Sequence, residues 1–284
     1  MSSVSKPLYA LGTPGLVTQR YLCRNHNRMV CMEKKKVLIT GITGLVGSVL
    51  MKGLREEFDV TGIDLRVCPD VKTLVADSTN LDEIISAFEG VDTVIDLASE
   101  PSNFAPWDVI YENNLRCTFN AFEASRIAGV RRVIFASSNH ATGNYENDSP
   151  YSEIVAGQYG ALTPGSFDLV TTDMPIRPDG PYGIGKAFGE ATGRYYSDEH
   201  GLSVMCLRIG TLNAESRPTN LRQFATLLTH GDLVRLVKAC IGGPDSIRFA
   251  IYYGVSNNSW RFWDISNSQT DIGYAPEDNA EVWR

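Results

Sequence analysis

The feature that most restricts the fold is a run of spaced glycines between an apolar segment and a helix-like one. Residues 36–40 (KVLIT) form a short apolar run, Gly41, Gly44 and Gly47 follow, and residues 45–57 have helical periodicity. Glycine permits a tight turn and lets the backbone come close to an anion, while a helix N-terminus offers free N–H groups. At this position between strand and helix, the motif predicts a turn that binds the pyrophosphate of a dinucleotide.

The rest of the chain continues the alternation of strands and helices. Further strands are predicted at 60–63, 73–76, 93–97, 132–137 and 204–208, and helices at 81–88, 107–128 and 180–200. Continuous apolar strands that alternate with helices indicate a parallel sheet covered on both faces. The predicted fold class is therefore α/β, a doubly wound parallel sheet of the Rossmann type with a small C-terminal substrate cap.

Three regions are expected along the chain. Residues 1–33 are predicted to be a disordered extension or a transit segment, 34–208 the dinucleotide-binding domain and 209–284 a small substrate-binding cap. Within the domain, residues 138–180 are rich in Gly, Pro, Asn, Asp and Ser, and a loop this long in a compact domain is usually functional. We interpret it as a substrate loop.

Charge and composition exclude several classes of partner. The net charge is −7, and an acidic surface repels phosphate backbones, so no nucleic-acid partner is expected. No run of consecutive apolar residues approaches the 18 that a membrane-spanning helix needs, so we expect no such helix. The six cysteines form no CxxC pair and the four histidines no HxxxH, so we expect reduced thiols and no metal site.

The N-terminal segment differs from the rest in charge. Residues 1–32 hold four basic residues and no acidic one, a composition that mitochondrial transit peptides share. Pro7, Gly12, Pro14 and Gly15 oppose an amphipathic helix there, which favours a plain extension. A cytoplasmic location is expected, with the mitochondrial matrix as the alternative.

An acidic residue at the end of the second strand predicts the kind of dinucleotide. Asp64 lies 17 residues after Gly47, where a carboxylate can accept both hydroxyls of the adenine ribose and repels a 2′-phosphate. This favours NAD over NADP, although Arg66 two residues later keeps NADP open. Asp77, just after the third strand, is interpreted either as an adenine contact or as a turn aspartate.

A tyrosine and a lysine four residues apart supply a candidate proton acceptor. Tyr182 and Lys186 share one face of the predicted helix 180–200. A phenol is too weak an acid to act as a base near neutral pH, but nearby positive charge favours its phenolate form. Ser137 and Ser138 end the fifth strand, at the edge where such sheets bind ligands, and one of them can hold the reacting oxygen.

Taken together, these motifs resemble the extended short-chain dehydrogenase/reductase family (NAD-dependent epimerase/dehydratase) over about residues 36–283. The matching stretches are GITGLVG (41–47), Asp64, Asn114, FASSNH (135–140) and YGIGK (182–186), with Gly185 where the family usually has Ser. The resemblance implies an NAD cofactor. A homo-oligomer is also expected. The residues that it implies for NAD binding are Gly41, Gly44, Leu45, Val46, Gly47, Asp64, Asp77, Ser78, Leu97, Ala98, Ser99, Asn114, Tyr182 and Lys186.

A narrower resemblance is to the uronate dehydrogenases and the related NAD-dependent glucose 6-phosphate dehydrogenases. It is carried by Ser138-Asn-His, Arg177-Pro-Asp-Gly, Arg208-Ile-Gly-Thr, Asn220-Leu-Arg, His230-Gly-Asp and the stretch 273–281. It implies Tyr182 as base, Lys186 as the residue that orients the cofactor and Ser138 as the third catalytic residue. For the sugar it implies Ser138, Asn139, His140, Thr211 and Arg222, with Arg222 paired to the substrate's anion.

Two features depart from the uronate dehydrogenase pattern. Pro101 stands where those enzymes place a substrate-binding Ser, and the 44 residues from Ser138 to Tyr182 exceed their spacing. Both leave the identity of the sugar open. His140 and Arg222 also have ordinary interpretations, as a hydrogen-bonded loop histidine and an exposed helix arginine.

The leading hypothesis is oxidation of the anomeric hydroxyl of an anionic monosaccharide, a uronate or sugar phosphate, to a lactone. One alternative is an epimerase or dehydratase of a nucleotide sugar, which needs a larger C-terminal region than the 75 residues here. A second alternative is a dinucleotide-binding regulator without catalysis, which the complete set of Ser138, Tyr182 and Lys186 disfavours.

Overall fold

The computed structural model describes residues 33–160 and 162–284, together with two short strands before them. Those strands, β1 (Leu22–Cys23) and β2 (Val30–Cys31), form an antiparallel pair with Leu22 opposite Cys31. Contacts group residues Lys35–Arg284 into one compact unit. The prediction of a disordered extension or transit segment over 1–33 falls almost wholly outside the described residues.

A seven-stranded parallel sheet lies at the centre of the larger unit. Its strands are β3 (Lys36–Thr40), β4 (Asp59–Asp64), β5 (Lys72–Val75), β6 (Thr93–Asp96), β7 (Arg132–Ser138), β8 (Ser203–Ile209) and β9 (Phe249–Gly254). Their order across the sheet is β5-β4-β3-β6-β7-β8-β9. The chain moves outward in one direction from β3 to β5 and in the other from β6 to β9, so the order reverses between β3 and β6. Ligands of doubly wound folds bind at the carboxyl ends of the strands beside such a reversal.

Helices cover both faces of this sheet. The α-helices of four residues or more are α1 (Leu45–Leu54), α2 (Leu81–Ile84), α4 (Arg116–Ala128), α5 (Tyr151–Val155), α6 (Pro181–His200), α7 (Gln223–Thr226), α8 (His230–Gly242) and α9 (Ser266–Ile272). The short α3 (Trp107–Val109) leads through a π-helical segment, Ile110–Leu115, into α4. None of the described helices is long and apolar enough to cross a membrane.

Two apolar cores hold these layers together, one on each face of the sheet. On one face, Leu50 of α1 and Leu236 of α8 belong to a buried cluster with strand residues such as Val37. On the other, Phe122 of α4 and Tyr196 of α6 stack at 5.5 Å between ring centroids. Burial on both faces explains why the strands are almost continuously apolar in sequence. The predicted class, α/β with a doubly wound parallel sheet, is confirmed.

The predicted strand bounds agree with the observed ones to within one residue at each end. The helix predicted over 45–57 ends at Leu54, where the chain tightens into a turn in which Glu57 N–H donates to the Leu54 carbonyl at 3.0 Å. Asn80 caps α2, because its side-chain oxygen accepts from Asp82 N–H. The helix predicted over 107–128 contains the π-helical segment, and it ends as expected at Gly129, whose φ is +69°.

Two regions have more structure than their composition indicates. The segment 138–180 contains a 3-10 helix, Asn139–Asn147, which is kinked at Thr142, and α5, whose Tyr151 and Ile154 are buried in the core. From the region expected to form the cap, β9 pairs in parallel with β8 and completes the sheet. The assignment of 34–208 to the cofactor and 209–284 to the substrate stays a prediction.

A buried arginine at the start of β7 ties the sheet to the C-terminal end of α8. Arg132 is fully buried, and its Nη1 donates to the carbonyls of Cys240 and Gly243 at 2.7 and 2.9 Å. Its Nη2 donates to the Pro244 carbonyl at 2.9 Å and its Nε to Ser203 Oγ at 3.0 Å. The last carbonyls of a helix have no partner within the helix, so the guanidinium satisfies groups that burial leaves without water.

We therefore expect Arg132→Met to lower the free energy of unfolding by about 2–4 kcal/mol, since buried carbonyls lose their donors. Urea denaturation measures this. The control is Arg194→Met, which removes an exposed pair with Asp198 and should cost less than about 0.5 kcal/mol. If both variants lose the same free energy of unfolding, the buried hydrogen bonds of Arg132 contribute no more to stability than an exposed ion pair.

Candidate functional site

One cavity of about 770 Å³ opens at the carboxyl ends of β3, β4, β6, β7 and β8. That volume suits a cofactor and a small substrate together. All but one of the residues predicted for the site line it. They are Gly41, Gly44, Leu45, Val46, Gly47, Asp64, Asp77, Ser78, Leu97, Ala98, Ser99, Ser138, Asn139, His140, Tyr182, Lys186, Thr211 and Arg222.

The glycine turn is shaped by two close backbone approaches. Gly41 has φ of +65°, a conformation that other residues rarely adopt, and a Cβ on Gly47 would lie 2.5 Å from the Gly41 carbonyl oxygen. No side chain caps α1, which begins after Gly44. The turn thus leaves the first N–H groups of α1 without a side-chain partner, which is the arrangement that a phosphate anion requires.

Asp64 at the end of β4 braces this turn. Its Oδ2 accepts from Thr43 N–H at 2.8 Å and its Oδ1 from Arg66 N–H at 3.2 Å. Arg66 in turn donates from Nη2 to Thr43 Oγ1 at 3.1 Å. A carboxylate has about four acceptor positions, so Asp64 can still receive two ribose hydroxyls.

The two interpretations of Asp77 are both compatible with the structure. Its Oδ1 accepts from Thr79 N–H at 2.9 Å, which makes it a turn aspartate, and it also lines the cavity. The carbonyl of the adjacent Ser78 accepts from Asn120 Nδ2 at 3.0 Å, so α4 holds this turn in place.

Asn114 is the predicted site residue that the structure does not bring to the cavity. It is only 2% exposed, and its amide oxygen accepts from Glu100 N–H at 2.8 Å while its Nδ2 donates to the Glu100 carbonyl at 3.0 Å. Both ends of the amide are therefore used to hold the loop after β6. Asn114 supports the wall of the cavity from behind, from within the π-helical segment.

A buried threonine and aspartate join the two central strands beneath the cavity. Thr40 Oγ1 donates to Asp96 Oδ1 at 2.7 Å and accepts from the N–H groups of Leu97 and Ala98, each at 3.0 Å. Burial raises the pKa of Asp96 to about 6, although the Thr40 bond and the charge of Lys186 oppose that rise. Sequence reasoning missed this pair, because one strand-end threonine and one strand-end aspartate form no motif.

Tyr182 and Lys186 lie on the first two turns of α6 and face the cavity. Lys186 is 4% exposed, its Nζ donates to Ser99 Oγ at 3.3 Å, and it lies 5.4 Å from the centroid of the Tyr182 ring. The ammonium is thus held beside the phenol by the loop that follows β6. The structure thus brings the predicted tyrosine and lysine together in the cavity.

The structure distinguishes the two serines at the end of β7. Neighbouring residues of a strand point to opposite faces, and Ser137 Oγ donates to Glu190 Oε1 at 2.6 Å inside the protein. Ser138 Oγ accepts from His140 N–H at 3.2 Å, so its own hydroxyl proton is not used in that bond. This favours Ser138 as the residue that can donate to a substrate oxygen.

A histidine–aspartate pair lies next to Tyr182. His140 Nδ1 is 2.7 Å from Asp179 Oδ2, and the imidazole meets the Tyr182 ring edge-on at 5.8 Å between centroids. A carboxylate only accepts, so the bond places the proton on Nδ1 and leaves Nε2 as an acceptor when the ring is neutral. Asp179 was not singled out from the sequence, although it lies in the Arg177-Pro-Asp-Gly stretch that carried the resemblance.

Arg222 lies at the far side of the cavity with a carboxylate already bound. Its Nε and Nη2 donate to Glu146 Oε2 and Oε1 at 2.6 and 2.7 Å, and its Nη1 donates to Thr211 Oγ1 at 2.8 Å. Arg222 is therefore not the exposed surface arginine of the ordinary interpretation. Glu146 has no signal in the sequence, since it is one acid in a polar, loop-like stretch.

Comparison with protein families gives a match to the NAD dependent epimerase/dehydratase family over residues 37–231. Among characterised relatives, the L-arabinose 1-dehydrogenase (NAD(P)(+)) of Haloferax volcanii is 36% identical over 261 residues, covering 86% of this chain and 97% of that protein. The NAD-dependent glucose-6-phosphate dehydrogenase of the same organism is 34% identical over 254 residues, covering 86% and 94%.

Among solved structures, a uronate dehydrogenase from Agrobacterium tumefaciens, a mutant complexed with NAD, has a TM-score of 0.74 to this chain. The two are 29% identical, and the match covers 88% of this chain and 87% of the other. The cavity described above thus lies in a fold that is similar over most of both chains to one that binds NAD.

The raised pKa of Asp96 predicts a pH dependence of stability. Its carboxyl is protonated more readily in the folded than in the unfolded chain, so its contribution is present below about pH 4 and is lost as pH rises through about 6. The loss should approach about 2–3 kcal/mol, because each pKa unit corresponds to about 1.4 kcal/mol.

The test is the free energy of unfolding of the wild type and Asp96→Asn between pH 4 and 8. The variant, which cannot ionise at this position, should gain stability relative to the wild type as pH rises. Asp198→Asn, on the exposed face of α6, serves as control and should show no such gain. A constant difference between Asp96→Asn and wild type over this range would contradict the raised pKa.

Proposed function

The chain belongs to the NAD-dependent epimerase/dehydratase family, and we propose that it is an NAD-dependent dehydrogenase that oxidises the anomeric hydroxyl of a monosaccharide to a lactone. The observation that carries this proposal is the placement of Tyr182, Lys186 and Ser138 in one cavity with the glycine turn. Catalytic groups and a dinucleotide cradle at one sheet edge are what hydride transfer to a bound cofactor requires.

The residues present fit NAD. The crowded Gly41–Gly47 turn and the uncapped start of α1 suit the pyrophosphate, and Asp64 suits the two hydroxyls of the adenine ribose. Lys186 would hydrogen-bond the nicotinamide ribose. When bound, NAD supplies the acceptor for a hydride from the sugar. The relatives named above support this cofactor.

The side chains divide the proton chemistry among them. As the C–H bond of the anomeric carbon breaks and its electron pair leaves as hydride, the hydroxyl proton passes to the Tyr182 phenolate and a carbon–oxygen double bond forms. The Lys186 ammonium stabilises that phenolate. Ser138 donates to the reacting oxygen, and His140, oriented by Asp179, offers Nε2 to a neighbouring hydroxyl.

The family resemblance supports the hypothesis that the sugar is anionic, either a uronate or a sugar phosphate. Asn139, Thr211 and Arg222 would bind it at the end of the cavity away from the glycine turn. Burying an unpaired anion is costly, and Arg222 is the guanidinium at that end. The relatives named above include one enzyme of a charged sugar and one of an uncharged sugar. They therefore support sugar oxidation as the reaction, but they do not indicate whether the substrate is charged.

An epimerase or dehydratase of a nucleotide sugar is the less supported alternative. The two relatives named above, at 34% and 36% identity, are both sugar dehydrogenases. Net production of NADH indicates the dehydrogenase. Isomerisation or loss of water without net NADH indicates the alternative, and binding of NAD without turnover indicates a regulator.

Two expectations concern the protein as a whole. A homo-oligomer is supported by the exposed aromatic side chains of Phe104, Trp107 and Tyr111 near α3, and size-exclusion chromatography with light scattering tests it. The cytoplasmic location, or the mitochondrial matrix if residues 1–33 act as a transit peptide, stays a prediction, as does the lack of nucleic-acid and membrane partners.

Replacing Tyr182 by Phe removes only the hydroxyl that accepts the proton. We expect kcat to fall by about 10²–10⁴, the range usual for a lost general base, while NADH binding measured by fluorescence persists. Tyr195→Phe, an exposed tyrosine on the same helix, is the control and should keep its activity. Activity in Tyr182→Phe close to that of the wild type would mean that another group accepts the proton.

Asp64 should set the choice of cofactor. The wild type is expected to use NAD in preference to NADP, because a carboxylate repels a 2′-phosphate, and Asp64→Ser should narrow the ratio of the two kcat/KM values by at least about tenfold. Asp59→Ser, at the exposed start of the same strand, controls for general damage. Equal use of both cofactors by the wild type would refute this assignment.

A further inference from the structure

Glu146 is a carboxylate that the mechanism does not use, and it is bound to the guanidinium at the sugar end of the cavity. Its side chain is 16% exposed and that of Arg222 is 30% exposed, so the pair is partly shielded from water. Two parallel bonds of 2.6 and 2.7 Å join them, which is the geometry in which an arginine binds any carboxylate or phosphate. Glu146 thus occupies the position that an anionic ligand of Arg222 would take.

The remaining bonds of Arg222 leave little of the guanidinium for a ligand. Its Nη1 donates to Thr211 at 2.8 Å and contacts Thr226 Oγ1 at 3.5 Å. In the amide orientation that satisfies both of its polar ends, Asn139 accepts from Nη2 at 2.8 Å and donates to the Ile209 carbonyl. A guanidinium has five N–H groups, so at most one remains for a ligand. A single donor suits a hydroxyl, whereas a carboxylate or phosphate binds an arginine most strongly through paired donors.

The charged groups around Arg222 also disfavour an anionic sugar. Glu146 neutralises Arg222, and Asp179 is a second carboxylate, bonded to another residue that lines the cavity, His140. An anionic sugar that binds Arg222 through paired donors must therefore displace Glu146. A neutral sugar has no such requirement.

We propose that Glu146 is a specificity-determining residue that competes with anionic sugars for Arg222 and so lowers their affinity relative to neutral sugars. This inference rests on the proposed function for its choice of ligand. Its position is defined by the 3-10 helix Asn139–Asn147, which follows β7 directly and connects Glu146 to the same segment as Ser138 and His140.

The test compares glucuronate with glucose, which differ at one end by a carboxylate in place of a CH₂OH group. Kd is measured by calorimetry in the presence of NADH, and KM is measured with NAD, for the wild type and Glu146→Gln. We expect the ratio of the glucuronate to the glucose constant to fall about tenfold in the variant, since about 1.4 kcal/mol of competition is removed.

Two further variants show whether the effect passes through Arg222. Glu146→Gln combined with Arg222→Ala should lose the gain for glucuronate, because the guanidinium that the substitution frees is gone. Glu153→Gln, the same substitution seven residues away on α5, should leave the ratio as in the wild type. Glu146→Ala repeats the test with a side chain that cannot bond to Arg222, and melting temperatures show that each variant is folded.

The outcomes separate this proposal from the function on which it rests. If no sugar yields NADH with the wild type, the proposed function fails, whereas the calorimetric ratio still decides the role of Glu146. A ratio that is unchanged or higher in both Glu146 variants overturns the role of Glu146, as does a lack of measurable glucuronate binding in them. The role of Glu146 is also overturned if the gain in glucuronate affinity persists when Glu146→Gln is combined with Arg222→Ala.

Discussion

The buried ion pair between Arg208 and Glu190 is the interaction on which the site depends. Arg208 of β8 donates from Nε and Nη2 to the two Glu190 oxygens, each at 2.9 Å, and both side chains are almost wholly buried. Neither charge could be buried alone, since an unpaired ion inside a protein costs several kcal/mol. Glu190 is four residues after Lys186 and eight after Tyr182, so one face of α6 carries all three. The ion pair, extended by Ser137 of β7 and Tyr253 of β9, therefore turns that face of the helix towards the edge of the sheet.

Most of the fold could be predicted from the sequence because it depends on local pattern. Apolar strands, glycine turns and helix ends such as Gly129 are each encoded within a few residues, and they were placed almost where the structure has them. β9 was harder to place within the sheet. Whether a seventh strand joins the sheet or forms part of a cap depends on its pairing with β8, about 45 residues earlier. The π-helical segment before α4 likewise has no local signal.

The candidate site was predictable to a similar extent and for the same reason. Residues within compact motifs, from Gly41 to Lys186, line one cavity. The residues that were missed act through partners distant in sequence: Asp96 binds Thr40, Glu190 binds Arg208 and Glu146 binds Arg222. In each pair a polar group is shielded from water and its cost is offset by one specific partner, and only the folded chain shows which partner that is. Asn114 illustrates the reverse case, since its motif was found but its amide is used to support a loop.

The hydrogen bonds of Asp64 link the shape of the glycine turn to the preference for NAD over NADP. The same carboxylate that is placed to bind the ribose also accepts from the backbone of Thr43 and Arg66. Replacing this aspartate by a neutral residue would admit NADP. The same replacement would remove the hydrogen bonds that hold the turn, and both NAD and NADP need that turn. Evolution towards the phosphorylated cofactor is therefore easier by adding positive charge around Arg66, whose guanidinium already reaches Thr43, while the aspartate stays in place.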